Sequence, residues 1–181
     1  MTRLIEAPVP GDPRLELAEF CAPLIGLPVS HIWRGYGSAI FLEFGSLHPR
    51  TRRDGSPGNP VGGWDLTIEW SWRIEGKRRI WCGSWSDEDR WSRAFSYLVG
   101  ANVVSVDLIG RLPEIDMGLS NGLHVVSMMT SEGDPAWTLG DLRGAESVWF
   151  CIRAGRLYKE INTNDGRPHP PLPFDPADAS N

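Results

Sequence analysis

Cysteine is scarce in this chain: Cys21, Cys82 and Cys151 are an odd number with no C-x-x-C spacing. That excludes a full disulfide framework. The apolar settings Ile80-Trp81-Cys82 and Phe150-Cys151-Ile152 predict buried free thiols in a reducing compartment. Basic residues are also outnumbered, 18 against 23 acidic ones, for a formal net charge of −5. A nucleic-acid partner is not expected of such a balance. No stretch approaches the ~18 consecutive apolar residues of a membrane span, so no membrane partner is expected either. Pro8, Pro10 and Pro13 stand where a signal peptide needs an apolar run, and no N-x-S/T acceptor occurs. A cytoplasmic location follows as the expectation. The histidines, at 31, 48, 124 and 169, show no metal-ligand spacing, so no metal and no cofactor are expected.

What the chain does have is tryptophan, nine in 181 residues, within an ordinary globular balance of 41% hydrophobic and 23% charged residues. Asp12-Pro13 reads as an N-cap followed by proline in the first turn. Leu17, Phe20, Cys21 and Leu24 then recur at helical spacing until Gly26. Ser86 reads as a second N-cap, with Asp87, Glu88 and Asp89 in the first turn, and Trp91, Phe95 and Leu98 follow until Gly100.

These landmarks repeat. Leu24-Ile25-Gly26-x-x-Val29 matches Leu98-Val99-Gly100-x-x-Val103 at a shift of 74 residues, and Ile32 matches Val106. Further along, Leu42-x-Phe44-Gly45 is set against Ile115-x-Met117-Gly118, and Leu66 and Ile68 against Leu123 and Val125. Trp72-Arg73-Ile74 is set against Trp137-Thr138-Leu139, and Ile80-Trp81 against Val148-Trp149. The shared order predicts an internal duplication. The expected fold is α+β and mainly β: two pseudo-symmetric helix-plus-antiparallel-β-meander repeats packed into one domain. Its parts are an extended arm at 1–12, a first repeat at 13–85, a second at 86–164 and a proline-rich tail at 165–181.

Alternation from Asp65 to Glu75 predicts a single strand with one dry and one wet face. Glu75-Gly76-Lys77 and Ser120-Asn121-Gly122 predict hairpin turns, and Ala154-Gly155 leads into an extra strand from Leu157 to Ile161. Residues 46–63, with four glycines, three prolines and Arg50, Arg52 and Arg53, read as a long mobile loop.

No catalytic constellation emerges. Gly118-Leu119-Ser120-Asn121-Gly122 has the letters of a nucleophile elbow, but a strand follows it where the elbow needs a helix. Glu43, Glu69, Glu75, Glu114 and Asp116 read as the solvated faces of strands unless the fold brings two together. Tryptophans matched between the copies, 72 with 137 and 81 with 149, are assigned to the core. Trp33 and Trp85 have no match and are assigned to binding, with Arg50, Arg52, Arg53, Asp87 and Glu88. The P-x-x-P spacing at 168–173 is read as part of a disordered end.

Leu98, Gly100, Val103, Ser105, Ala136, Trp137, Leu139, Gly155, Leu157 and Glu160 together resemble the pattern of an uncharacterised family of small bacterial domains. Leu112-Pro113 departs from it, standing where that pattern has an acidic hairpin. The resemblance implies a small bacterial protein with sheets like those of immunity proteins, and it carries over no functional residues. The functional expectation is a non-enzymatic protein-interaction module of the immunity or accessory type. A small-molecule module with a tryptophan-lined cavity between the repeats is the alternative, and an enzyme ranks below both. The expected partner is a protein, ahead of a small molecule or a second copy of the chain.

Overall fold

The computed structural model describes residues 4–52, 54–130 and 135–163. In chain order the elements are β1 (Leu4–Pro8), α1 (Pro13–Cys21), β2 (Val29–Arg34), β3 (Ile40–Phe44), β4 (Trp64–Ile68), β5 (Trp72–Gly76) and β6 (Arg79–Gly83). They continue with α2 (Asp89–Ser96), β7 (Val103–Ile109), β8 (Glu114–Leu119), β9 (His124–Ser127), β10 (Trp137–Asp141), β11 (Glu146–Arg153) and β12 (Arg156–Thr163). Strand outweighs helix by 47% to 11%, so the fold is mainly β. The N-terminal arm is not merely extended, because β1 forms an edge strand against β12.

Two antiparallel sheets result, of seven strands in the order β1-β12-β11-β10-β4-β3-β2 and of five in the order β6-β5-β9-β8-β7. Neither sheet comes from one half of the chain. The first joins β2–β4 to β10–β12, and the second joins β7–β9 to β5–β6. The chain therefore crosses from one sheet to the other at Glu69–Ser71, which corrects the expectation of one strand from Asp65 to Glu75. Leu66 and Ile68 are buried in the first sheet, and Trp72 and Ile74 in the second. Trp70, at the crossing, is exposed. The wet face expected of this segment is also absent in β4, all five of whose residues are buried.

The described residues of 46–63 are laddered rather than unstructured. His48 bridges Val61 and Thr51 bridges Pro57, and the Gly62 N–H donates to Glu43 Oε2 at 2.8 Å, tying the loop to β3.

Both helices start and stop for local reasons. Asp12 accepts from the Arg14 N–H at 2.9 Å, as expected of a cap. The second helix corrects its expectation: Ser86 does not cap it. The Ser86 hydroxyl accepts from the Gly83 N–H instead, and the helix begins at Asp89 behind Glu88, whose side chain makes no cap bond. The helices end at Cys21 and Ser96, before the glycines expected to stop them; Gly26 and Gly100 instead close the turns that follow, at φ +90° and +86°, a conformation that a β-carbon disfavours.

One continuous core joins both sheets and both helices. Phe20 of α1 lies against Phe150 and Trp64, with ring centroids 4.3 and 4.9 Å away, and Trp91 of α2 meets Trp72 edge-on at 4.9 Å. Trp64, Trp72 and Trp137 are completely buried. The Trp72 indole N–H donates to Ser38 O and that of Trp137 to Pro113 O. For Trp72 and Trp137 burial costs little because the polar edge is satisfied, whereas the buried Trp64 N–H has no hydrogen-bond partner among the described residues. Trp81 and Trp149, expected in the core with them, are only half-buried, Trp81 packing against the core from its edge and Trp149 lying beside Asp65.

The sheets meet beside Pro28 and Asn102, which form an isolated bridge. Gly26 N–H donates to Val103 O and Gly100 N–H to Val29 O. Val29 N–H donates to Ala101 O and Val103 N–H to Leu27 O.

Candidate functional site

The residues singled out from sequence do not converge. Trp33 stacks on Phe41 at 3.9 Å and is half-buried. Arg50 is half-buried and Arg52 exposed on the laddered loop, while Arg53 lies outside the described residues, as do residues 165–181. Glu88 is spent on Arg34, with Nη1–Oε2 and Nη2–Oε1 contacts of 2.6 and 2.7 Å that pin β2 to the start of α2. Each partner pulls the other's pKa toward the charged form: Arg34 is raised and Glu88 lowered. Asp87 is exposed. Trp85 is 85% exposed in the link from β6 to α2.

Sequence reasoning missed a buried acid pair. Across the seven-stranded sheet, His31, Glu43, Asp65, Gly140, Trp149, Glu160 and Glu6 stand opposite one another in a single row. Glu43 and Asp65 are buried, and the loop bond to Glu43 closes that end of the row. Burial, then the neighbouring Glu43, pushes the Asp65 carboxyl up to about 8, against the pull of the Trp149 N–H. Glu43 is raised as well, by burial, although the Gly62 N–H and the nearby Trp33 indole favour its charged form. Gly140 makes the arrangement fit, since a Cβ there would overlap Asp65 Oδ1 and the Trp149 indole. At neutral pH, Asp65 is a proton-bearing acid within a sheet.

On the five-stranded sheet the His124 Nδ1 and Asp116 Oδ1 atoms are 2.7 Å apart, so a carboxylate does orient an imidazole there. Ser105 lies across Gly118 on the same face. Among the described residues no hydroxyl hydrogen-bonds to the imidazole. Ser120, the would-be elbow serine, sits in the β8–β9 turn and accepts from the Asn102 N–H. All three cysteines are buried and unpaired. Burial pushes the thiols of Cys21 and Cys151 up to about 12, so both are inert.

The remaining cluster is a groove of about 410 Å³ between β6 and α2. Arg79, Ile80 and Trp81 form its strand wall, and Asp89, Arg90, Arg93, Ala94 and Tyr97 its helix wall. The Arg79 guanidinium lies over the Trp81 ring at 4.4 Å, and Tyr97 meets the same ring edge-on at 5.2 Å. Arg90 reaches the Trp81 carbonyl at 3.5 Å. Arg34, Arg73, Arg143 and Arg153 are matched to carboxylates. Among the described residues, Arg79, Arg90 and Arg93 have no such partner. Ile80 is 61% exposed and Tyr97 43% exposed. The chain matches no family model, no curated protein and no solved structure, so the geometry of these clusters alone carries the functional reading.

Proposed function

We propose that this chain is a non-enzymatic protein-interaction module of the immunity or accessory type, and that it makes its contact through the β6–α2 face. The observation that carries this reading is the set of side chains gathered there. Arginine, tryptophan and tyrosine are the residues that dominate binding energy at protein interfaces. Here they stand beside an exposed Ile80 and a Trp85 left 85% in water. The groove carries one tryptophan, Trp81, so the alternative of a tryptophan-lined small-molecule cavity draws no support from it.

The reading includes an architecture in which the two halves are copies related by a twofold beside Pro28 and Asn102. Two pairs of hydrogen bonds related by a shift of 74 residues support it: Gly26 N–H to Val103 O with Gly100 N–H to Val29 O, and Val29 N–H to Ala101 O with Val103 N–H to Leu27 O. So do the ladders: Leu42 opposes Leu66 as Met117 opposes Val125, and Leu66 opposes Leu139 as Val125 opposes Ile74. This alignment sets Leu42 against Met117 and Leu66 against Val125, two residues on from the match made by sequence. Strand by strand, β2-β3-β4-β10-β11 then corresponds to β7-β8-β9-β5-β6. Only β12 and β1, beyond β11, lack counterparts beyond β6. The proposed contact face falls where the copies differ.

The test is affinity capture from the native host with three baits: the natural chain, a Trp85→Ala/Ile80→Asp double variant, and Leu15→Asp as an exposed control on α1. A stoichiometric partner held by the first and third baits and lost by the second supports the reading. Equal recovery on all three would sink it.

A further inference from the structure

Resting on that reading, the geometry points to the kind of partner: we propose that the β6–α2 groove holds an acidic segment of another protein, and holds it through side chains rather than by strand addition. Charge complementarity is the first argument. In a chain of net charge −5, three guanidiniums face one groove without a carboxylate partner among the described residues, and Asp89 is the groove's single acidic residue. Such groups are poised for charge-assisted bonds to incoming carboxylates.

The second argument is that the edge of β6 is closed to a ladder. In the other sheet the corresponding strand, β11, is eight residues long and is paired along its length by β12. By contrast, β6 has five residues, and its register with β5 shifts between Ile74 and Glu75. Two of its backbone groups are also engaged by side chains, the Trp81 carbonyl by Arg90 and the Gly83 N–H by Ser86. Short, irregular, arginine-flanked edges resist strand pairing. A partner must therefore be read by its side chains, with carboxylates meeting the arginines and an apolar residue meeting Ile80 and Trp85.

The same features disfavour two other occupants. Single-stranded nucleic acid needs a run of open aromatic faces on which to stack, but the groove's Trp81 ring carries Arg79 on one side and the edge of Tyr97, and Trp85, outside the groove lining, is a single exposed ring. A second copy bound through the same face would set these arginines against their own equivalents.

Fluorescence anisotropy with a labelled dodecapeptide of Glu, Asp, Leu and Tyr tests the proposal, beside the same peptide with Lys for each acid and a labelled oligothymidylate. The acidic peptide is expected to bind the full chain with an affinity that falls as salt rises. Arg90→Glu and Arg93→Glu should each weaken it about tenfold or more, as expected for lost charge complementarity. Arg156→Glu, the same charge change at the start of β12, should leave it intact, and circular dichroism checks that each variant folds. No binding, equal binding of the Lys peptide, or tighter binding of the oligonucleotide overturns the proposal, as does a dimer in sedimentation that Arg93→Glu abolishes. Should the captured partner of the previous section be lost with Trp85→Ala/Ile80→Asp yet survive both arginine reversals, the interaction reading stands and the acidic-segment proposal fails.

Discussion

Replacing Asp65 with asparagine should make the protein more stable at neutral and alkaline pH while changing little in acid. Asp65 is 6% exposed and opposes Glu43 on one side and Gly140 on the other. Its carboxyl titrates near 3.8 when unperturbed and at about 8 in the fold. Between those values the folded chain keeps a proton that the unfolded chain has released. Stability is therefore full below 3.8, falls as pH rises through this window, and levels off above about 8. Each pH unit in the window costs about 1.4 kcal/mol per proton, so at pH 7 the aspartate costs roughly 4 kcal/mol as a ceiling. The raised Glu43 adds a slope of the same sign. Asparagine keeps the shape and never ionises, so its advantage should grow from near zero in mild acid to an order of 2–4 kcal/mol at pH 8. Urea unfolding followed by tryptophan fluorescence, repeated from pH 4.5 to 9 on both proteins, measures this difference directly. A difference that stays constant with pH would refute the reasoning, as would a natural chain that gains stability between pH 5 and 8.

Gly140→Ala should destabilise by about 2 kcal/mol or more, because the new methyl group overlaps both Asp65 Oδ1 and the Trp149 indole; chemical denaturation checks it. Trp72→Ala should cost about 3–5 kcal/mol through the cavity it opens beneath α2, and the orphaned Ser38 carbonyl adds to that cost; it should melt far below the natural chain. In the native state Cys21 and Cys151 should resist a thiol reagent at pH 8 and react only on unfolding, since their thiols titrate at about 12. Because each sheet takes strands from both halves, residues 1–85 and 86–181 should each fail to fold alone and should recover near-native circular dichroism when mixed; a folded isolated half would contradict the topology.

Short-range signals were the legible ones. The Asp12 cap and the Ser120-Asn121-Gly122 turn are set by residues a few positions apart, and they appear where the sequence places them, whereas the helices end at Cys21 and Ser96, before Gly26 and Gly100, and the first hairpin turns at Lys77-Arg78, just past Gly76. The crossing at Glu69–Ser71 was illegible for a definite reason. Leu66, Ile68, Trp70, Trp72 and Ile74 keep the same alternation straight through it. A period of two reports that a backbone is extended, not which sheet it belongs to. The arginine groove was hidden by distance along the chain. Arg79 lies in a strand and Arg90 and Arg93 one turn apart in a helix, whereas Arg50 and Arg52, close in sequence, do not line the groove. Trp85 alone carried a sequence signal, through its lack of a counterpart.

Polar residues on strands were read as wet, and that failed where a loop intervened. On the proposed alignment, Asp65 and His124 hold corresponding places in the two sheets, as do Glu43 and Gly118. On the five-stranded sheet this face stays partly open, and His124 and Asp116 meet in contact with water. On the seven-stranded sheet the laddered loop donates Gly62 to Glu43, and the equivalent face is buried. The acids beneath it respond in the way that costs least: a proton at Asp65 removes a charge that burial and Glu43 both oppose. The same alternating letters thus describe a solvated dyad in one sheet and a neutral buried acid in the other. The difference is made by an 18-residue segment, 46–63, that has no counterpart in the other half.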